Sequence, residues 1–183
     1  MWQDLEKGLI TPEALKVRRF ELLFEAMGIA RSPAEFSAVY LDCLAGCSEL
    51  IDGAGEMLDV LRQKHRLAIL TNGLQKVQRG RLACSTIRNH ISEIIISEEI
   101  GVAKPAPAFF DAAFARSGNP PKREVLMIGD NWISDMQGAS QYGMDTCWYN
   151  PRRLARPDKL EITSEIASLR ELIKLIDCKN DIL

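Results

Sequence analysis

The fold is decided by the stretch Val125-Leu126-Met127-Ile128-Gly129-Asp130-Asn131-Trp132-Ile133-Ser134-Asp135. Its first four residues form a short apolar run, typical of a buried β-strand, and glycine and aspartate follow directly. Asp130 is therefore expected at the exposed tip of the strand, and Asp135 on the following loop or first helical turn. Hard divalent cations such as Mg²⁺ bind carboxylate oxygens and complete their shell with water and substrate phosphate. The pattern predicts a metal site at Asp130 and Asp135, with a helix cap as the alternative for Asp135.

Similar apolar runs lie on both sides of this stretch, at residues 67–70, 94–96 and 146–149. Helical periodicity separates them at about 54–64, 74–85, 106–117 and 134–142. Strands that alternate with helices of this length predict an α/β fold with a parallel, Rossmann-like sheet and right-handed crossovers. The final periodic stretch, residues 164–176, is predicted to be a helix packed on one face of the sheet.

The first third of the chain is predicted to be helical throughout. Thr11 and Pro12 start one helix that ends near Gly28, and Ser32 and Pro33 start a second that ends near Gly46. Near residue 51 the pattern changes from continuous helical periodicity to short apolar runs that alternate with helical stretches. We therefore predict a helical subdomain at residues 1–48 and an α/β domain at residues 49–183.

Two further motifs follow predicted strands, where open α/β sheets bind their ligands. Thr71, Asn72 and Gly73 come after the first run, where a helix N-terminus and a glycine suit a phosphate oxyanion. Lys104, directly before Pro105, follows the second run and offers a point charge for phosphate at the surface. The alternatives are a polar turn with a helix cap for the first motif and a solvated lysine at a helix start for the second.

Composition excludes several classes of protein. The 183 residues carry 23 basic and 25 acidic side chains, a net charge of −2, without the basic excess that nucleic-acid binding needs. No apolar run approaches the ~18 residues of a membrane span, and the N-terminus is too polar for a signal peptide. We expect a cytoplasmic protein that binds neither nucleic acid nor a membrane.

The cysteines predict reduced thiols, because they are odd in number and include no Cys-x-x-Cys pair. Cys43 and Cys47 would share a helix face, but two sulfur ligands without a neighbouring histidine make no zinc site. Packing in the core is therefore the expectation for this pair. The full set is Cys43, Cys47, Cys84, Cys147 and Cys178.

Taken in order, the Thr71 motif, Lys104-Pro105 and the segment from Gly129 to Asp135 resemble the second, third and fourth motifs of the haloacid dehalogenase-like hydrolases. They lie some 30 residues apart, which fits one strand–helix unit each. The segments 96–105 and 143–151 and the helical start at residues 2–20 resemble the noncanonical pyrimidine 5′-nucleotidase branch of that superfamily. The resemblance runs from residue 2 to about residue 175.

The resemblance implies a role for each matching residue. Thr71 would hydrogen-bond the transferring phosphoryl group, with the backbone N–H groups of Asn72 and Gly73 assisting. Lys104 would offset negative charge, Asp130 would ligate Mg²⁺, and Asp135 would support the metal or its waters. Residues 1–48 would form a cap that closes over a nucleoside monophosphate and excludes water.

The chain departs from that family at one point. Those enzymes begin with a strand ending in Asp-x-Asp-x-Thr, whose first aspartate is the nucleophile, and no such motif occurs here. Asp4 and Asp42 lie in helical contexts and cannot replace it. The missing strand is central in the family, between the strands that end at Thr71 and Asp130. The two neighbours must therefore pair directly, or the gap must be filled from elsewhere.

Three hypotheses follow from this pattern. The first is a Mg²⁺-dependent 5′-nucleotidase, truncated at its N-terminus and inactive as given. The second is a non-catalytic remnant that binds a phosphorylated ligand or a partner chain through the open gap. The third is a broader phosphatase of the same superfamily acting on sugar phosphates or phosphoglycolate. A homo-oligomer is compatible with each of them.

Overall fold

The computed structural model describes residues 1–6 and 8–180, apart from the side chains of residues 3, 6 and 177–180. Its N-terminal part contains the helices α1 (Trp2–Glu6), α2 (Pro12–Met27) and α3 (Pro33–Gly46). The hydroxyls of Thr11 and Ser32 accept N–H bonds from the first turns of α2 and α3. Gly28 ends α2 with a φ of 63°, which glycine adopts without strain. Both predicted helices are confirmed.

Helices α2 and α3 pack together through aromatic rings. Phe20 meets Phe36 and Tyr40 edge to face, with ring centroids 5.0 and 5.2 Å apart. Phe24 meets Phe36 in the same way at 5.2 Å. Edge-to-face pairs place the positive rim of one ring on the negative face of the other, so these contacts fix the angle between the two helices.

The α/β part alternates strands with helices as predicted. Its elements are α4 (Ala54–Leu61), β1 (Ala68–Thr71), α5 (Gln75–Cys84), β2 (Glu93–Ile96), α6 (Ser97–Ile100), α7 (Pro107–Arg116), β3 (Leu126–Gly129), α8 (Gly138–Tyr142), β4 (Asp145–Tyr149), β5 (Ser164–Ile166) and α9 (Leu169–Asn180). Short 3₁₀ turns precede β2 and β3, and a π-helical turn, Trp132–Gln137, precedes α8.

The strands form two parallel sheets. In the first, β1 pairs with β2 in the register Leu70 to Ile95. In the second, β4 lies between β3 and β5, with Ile128 opposite Cys147 and Cys147 opposite Ser164. Within the described residues β1 and β3 do not pair with each other, so the direct pairing of these neighbours is not realised.

Two apolar layers cover the strands. The first is built mainly from α7, α8 and the π turn, and contains Ile95, Phe109, Phe110, Met127 and Met136, with Leu70 packed against it. The second is built from α4 and α9 and contains Met57, Leu61 and Leu172, with Leu67, Leu126 and Ile128 packed against it. The β3–β4–β5 sheet therefore contributes to both layers, as parallel strands covered on two faces require, whereas the β1–β2 sheet contributes to the first layer and only Leu67, directly before β1, contacts the second.

One predicted helix is wrong at its start. Residues 164–166 form strand β5 beside β4, and the helix begins only at Leu169. Ile166 is buried in the layer formed with α4 and α9. An isoleucine at this position fits a helical period as well as a strand, so periodicity alone does not separate the two.

The prediction for the cysteines is wrong in part. Cys43, Cys47 and Cys84 are exposed, whereas Cys147 is buried in β4. Helix α3 packs on α5 through Leu41 and Leu44 instead, which leaves its cysteine face in solvent. None of these four cysteines forms a disulfide with another described residue, and Cys178 lies outside the described side chains. Among the described residues, no helix combines the length and apolarity needed to span a membrane.

Candidate active site

The predicted site residues converge at the carboxyl ends of β1 and β3. The central contact is between Lys104, in the loop after α6, and Asp135, in the π turn, with Nζ 2.6 Å from Oδ1. The same ammonium donates to the backbone oxygen of Leu70 in β1 at 2.7 Å. Lys104 therefore joins the two sheets at one edge.

Lys104 and Asp135 are 5% and 6% exposed, respectively. Lys104 is thus neither the surface charge nor the solvated lysine expected from the sequence, and the following helix begins at Pro107 rather than Pro105. A buried charge is tolerated when a partner and hydrogen bonds replace its hydration. The two opposite charges cancel, so the buried pair is neutral overall and holds the Lys104 ammonium in a fixed position.

The segment from Thr71 to Gly73 is tied to the same loop. The Asn72 amide donates to the Lys104 backbone oxygen and accepts from the Lys104 N–H, both at 2.9 Å. The Gly73 N–H donates to the Thr71 hydroxyl oxygen at 3.0 Å, and helix α5 begins two residues later. In this conformation the Gly73 N–H is engaged within the turn, and Asn72 positions the lysine loop through its side chain.

Asn131, and not Asp135, caps the π turn, and the backbone of Asn131 also holds the Asp135 carboxylate. The side chain of Asn131 accepts from the N–H groups of Ile133 and Ser134, at 3.0 and 2.9 Å, so Asn131 is the cap of the π turn. The N–H of Asn131 donates to Oδ2 of Asp135 at 3.1 Å. The helix-cap alternative for Asp135 is therefore wrong, and its carboxylate points back to the strand end.

Asp130 differs from Asp135 in its surroundings. It is exposed, and within residues 1–6 and 8–180 no hydrogen bond or ion pair involves its carboxylate. Its backbone oxygen accepts from the Trp148 indole at 3.1 Å, which fixes the backbone at this position. The strand end thus presents a solvent-accessible carboxylate beside a buried ion pair.

A hollow of about 440 Å³ opens next to Asp130. On its far side Asp158 accepts from the Trp132 indole at 3.2 Å and from Gln137 at 2.6 Å. The N–H of Leu160 and then this indole lower the pKa of Asp158, because both stabilise the carboxylate. The hollow is lined by Asp130, Asn131, Trp132, Ile133, Gln137, Pro157 and Asp158. Its polar lining combines two carboxylates with two amides and contains no basic side chain among the described residues.

Glu98, in α6, is a residue that the sequence interpretation missed. Its Oε1 accepts from the Lys16 ammonium of α2 at 2.7 Å, and its Oε2 accepts from the N–H of Gln75 at the start of α5 at 2.6 Å. One carboxylate therefore connects the N-terminal helices to the α/β part. The sequence signal that could have identified Glu98 is its position just after the carboxyl end of β2, where open α/β sheets bind their ligands.

We expect Glu98→Gln to loosen this junction, because one amide oxygen then serves two donors and the charge opposite Lys16 is lost. Exchange of the Gln75 amide hydrogen should accelerate about fivefold, equivalent to about 1 kcal/mol. Glu21→Gln is the matched control, since Glu21 lies at the surface of α2 and, among the described residues, pairs with Arg18 alone. Equal exchange in both variants would contradict the role of Glu98.

The fold and site define a class: an α/β protein that gathers a lysine, a hydroxyl and two carboxylates at the carboxyl ends of parallel strands. Residues 13–143 match the haloacid dehalogenase-like hydrolases. The chain is 34% identical over 180 residues to the pyrimidine 5′-nucleotidase YjjG of Escherichia coli, covering 98% of this chain and 79% of that protein. It is 32% identical over 178 residues to the pyrimidine 5′-nucleotidase PynA of Streptococcus pneumoniae, covering 97% and 75%.

Solved structures agree with these relatives. The structure of the HAD-hydrolase YfnB from Bacillus subtilis, described as bound to magnesium, superposes with a TM-score of 0.88 at 32% identity and covers 96% of this chain and 77% of that one. A 2-haloacid dehalogenase from Pseudomonas syringae shares the fold, with a TM-score of 0.70 at 23% identity and coverage of 96% and 79%. The chain belongs to the haloacid dehalogenase-like hydrolases.

Proposed function

We propose that this chain carries the phosphate-binding and metal-binding part of a Mg²⁺-dependent 5′-nucleotidase for nucleoside monophosphates. The observation that supports it most directly is the buried Lys104–Asp135 pair, with Thr71 and Asp130 at the adjoining strand ends. The two nucleotidase relatives support the substrate class. Residues 1–48 are proposed as the cap and residues 49–183 as the α/β core.

The proposed roles follow from the contacts. Lys104, fixed by Leu70 and Asp135, offsets the charge of a phosphate group at the strand ends. The Thr71 hydroxyl can donate to a phosphate oxygen while its own oxygen accepts from Gly73. Asn72 keeps the lysine loop in place, and the backbone N–H role first assigned to Gly73 requires a change in the turn.

The carboxylate oxygens at the end of β3 are the type of donor that magnesium prefers. Within the described residues no three His, Cys, Asp or Glu side chains are grouped as a metal site. Magnesium, however, is commonly bound by one or two carboxylates plus waters and substrate phosphate. Asp130, exposed and unpaired within the described part, would hold the ion directly, and Asp135 would orient its waters. The ion would polarise the phosphoryl oxygens.

The nucleophile has no counterpart among the described residues. Asp4 lies on α1, and Asp42 lies on α3 in an ion pair with Lys76. The proposed reaction needs a carboxylate that attacks phosphorus, while the ester oxygen leaves with a proton. Water then hydrolyses the acyl phosphate, releasing phosphate and restoring the carboxylate. Without that group, binding of phosphate without turnover is the expected behaviour of the 183-residue chain.

Because no nucleophile is found among the described residues, a second function stays a candidate: a non-catalytic protein that binds a phosphorylated ligand or a partner chain. The edges of β1 and β3 that have no strand partner within the described residues favour it. A cytoplasmic location stays a prediction, supported by the reduced state of the four described cysteines, which form no disulfide among the described residues.

The test uses the purified chain with and without Mg²⁺. Calorimetry measures the binding of uridine monophosphate, glucose 6-phosphate and inorganic phosphate, and phosphate release measures hydrolysis of the two esters. We expect Asp130→Asn to weaken Mg²⁺-dependent binding at least about tenfold. Glu124→Gln, just before the opposite end of β3, is the control and should leave binding unchanged. Turnover lost in Asp130→Asn would exclude the non-catalytic candidate. Binding of the sugar phosphate alone would contradict the nucleotidase proposal.

A further inference from the structure

The hollow beside Asp130 continues the site beyond the Lys104–Asp135 pair. Asp130 directly follows β3, the strand end against which Asp135 lies, and it also lines the hollow. The far wall consists of Pro157 and Asp158, which lie in the chain between β4 and β5. Asp130 therefore belongs both to the strand end that carries the ion pair and to the rim of the hollow.

The size and the apolar lining of the hollow suit a flat organic ring. Its volume of about 440 Å³ lies within the range of ~300–1,000 Å³ that is typical of small-molecule sites. The Trp132 ring is buried and lies edge to face on Trp148, with ring centroids 4.8 Å apart, so this wall is rigid. Ile133 is 54% exposed at the rim, where its side chain can cover the face of a ring.

The orientation of the Gln137 amide is fixed by Asp158. Its Nε2 donates to Oδ2 of Asp158 at 2.6 Å. The Leu160 N–H and the Trp132 indole donate to the same carboxylate and lower its pKa, so it stays ionised at neutral pH. An ionised carboxylate only accepts hydrogen bonds, so the amide nitrogen of Gln137 must face it. Oε1 of Gln137 is left as an acceptor that no donor among the described residues reaches.

Asn131 presents the opposite group to the same hollow. Its Oδ1 accepts from the N–H groups of Ile133 and Ser134, so its amide nitrogen is the remaining donor. Within the part of the chain that the structure describes, that nitrogen makes no hydrogen bond. The hollow therefore offers one amide donor and one amide acceptor. The edge of a nucleobase carries the complementary pair, as in uracil, where N3–H donates and a neighbouring carbonyl oxygen accepts.

We propose that this hollow binds the base of the nucleoside monophosphate and that Gln137 and Asn131 determine the specificity for it. Oε1 of Gln137 accepts from the base N–H, and Nδ2 of Asn131 donates to the base carbonyl. The position of the phosphate, beside Lys104 and Asp130, rests on the proposed function. Only the ribose separates phosphate from base in such a ligand, and the hollow begins at Asp130. Recognition of the base then lies in the α/β part of the chain.

Calorimetry with the purified chain and Mg²⁺ compares uridine monophosphate, its N3-methyl derivative and ribose 5-phosphate. We expect uridine monophosphate to bind at least about tenfold more tightly than either of the others. The N3-methyl group removes the donor that Gln137 accepts, and ribose 5-phosphate has no base. Gln137→Met removes the acceptor at similar side-chain length. It should reduce the preference for uridine monophosphate to about twofold and leave the affinity for ribose 5-phosphate unchanged. Gln63→Met, at an exposed glutamine before the amino end of β1, is the matched control and should keep the full preference.

Free uridine tests the hollow separately from the phosphate site. NMR follows the side-chain amide of Gln137 and the indole N–H of Trp132 as uridine is added. Both signals should shift, because both groups line the hollow. The indole of Trp2, in α1, is the internal control and should not move. This arm and the N3-methyl ligand use the unaltered chain, so they test the proposal even if Gln137→Met fails to fold.

The outcomes separate the base site from the proposed function. Uridine shifts without binding of inorganic phosphate or ribose 5-phosphate support the base site and count against the proposed function. Equal affinity for the three phosphate esters, with no shift at Trp132, overturns the base site and leaves the phosphate site standing. A preference for uridine monophosphate that persists in Gln137→Met places the base elsewhere and also overturns the proposal. Absence of binding by every ligand overturns both.

Discussion

Asp135→Ala is expected to lower the free energy of unfolding by about 3–5 kcal/mol, because it leaves the Lys104 ammonium buried without its counter-charge. The pair is almost fully enclosed, and the same carboxylate also accepts from the Asn131 N–H. Urea unfolding followed by circular dichroism measures the effect, provided that the slope with denaturant is unchanged. A loss below about 1 kcal/mol would show that the pair is solvated.

Two further variants separate charge from packing. Asp130→Asn lies five residues earlier, at an exposed carboxylate, and should change stability by less than about 0.5 kcal/mol. Lys104→Met combined with Asp135→Asn removes both charges and should cost less than Asp135→Ala alone. If the double variant is the less stable of the two, the loss in Asp135→Ala does not come from an unpaired charge.

Gly129→Ala is expected to destabilise the chain by about 3 kcal/mol, near the upper end for inserting a methyl group into a packed site. A Cβ at Gly129 would lie 2.6 Å from Cγ and 2.7 Å from Cβ of Asp135. Asp135 cannot withdraw without breaking its bonds to Lys104 and Asn131. Phosphate binding should fall with stability, and thermal unfolding with phosphate calorimetry measures both.

The control for this substitution is Gly46→Ala. Gly46 is the last residue of α3, and an added Cβ meets nothing within 4 Å. Alanine is the better helix former, so this variant should be as stable as the parent chain or up to about 1 kcal/mol more stable. Equal losses at Gly46 and Gly129 would contradict the close approach at the strand end.

The strands and the site motifs could be predicted because both depend on local chemistry. The apolar run at residues 94–96 becomes β2 with one residue added at its start, and the run at 125–128 becomes β3 shifted by one residue at both ends. Polar residues at or beyond the carboxyl ends of parallel strands meet at one edge of the fold by topology, so Thr71, Lys104 and Asp135 could be grouped. The family resemblance rests on the same residues, and the comparisons confirm it.

Burial and partner choice could not be predicted in the same way. Lys104 is buried because Leu70 and Asp135, distant in sequence, replace its hydration. The role of Glu98 depends on Lys16, a residue 82 positions away in sequence that the packing of the N-terminal helices on α5 brings near. Strand β5 is three residues long and is defined by its pairing with β4. Each of these features is set by tertiary contacts that periodicity does not contain.

The geometry of the site depends on the number of residues in the π turn after β3. Its Met136 N–H reaches the Asn131 oxygen five residues back, at 3.2 Å, so the turn holds one residue more than an α-helical turn. That extra residue shifts the angular phase of everything after it by about 100°. Asp135 can face Lys104 while Ala139 faces the core only in this phase. A deletion of one residue here would force one of the two out of alignment, although every side chain named in the site would still be present.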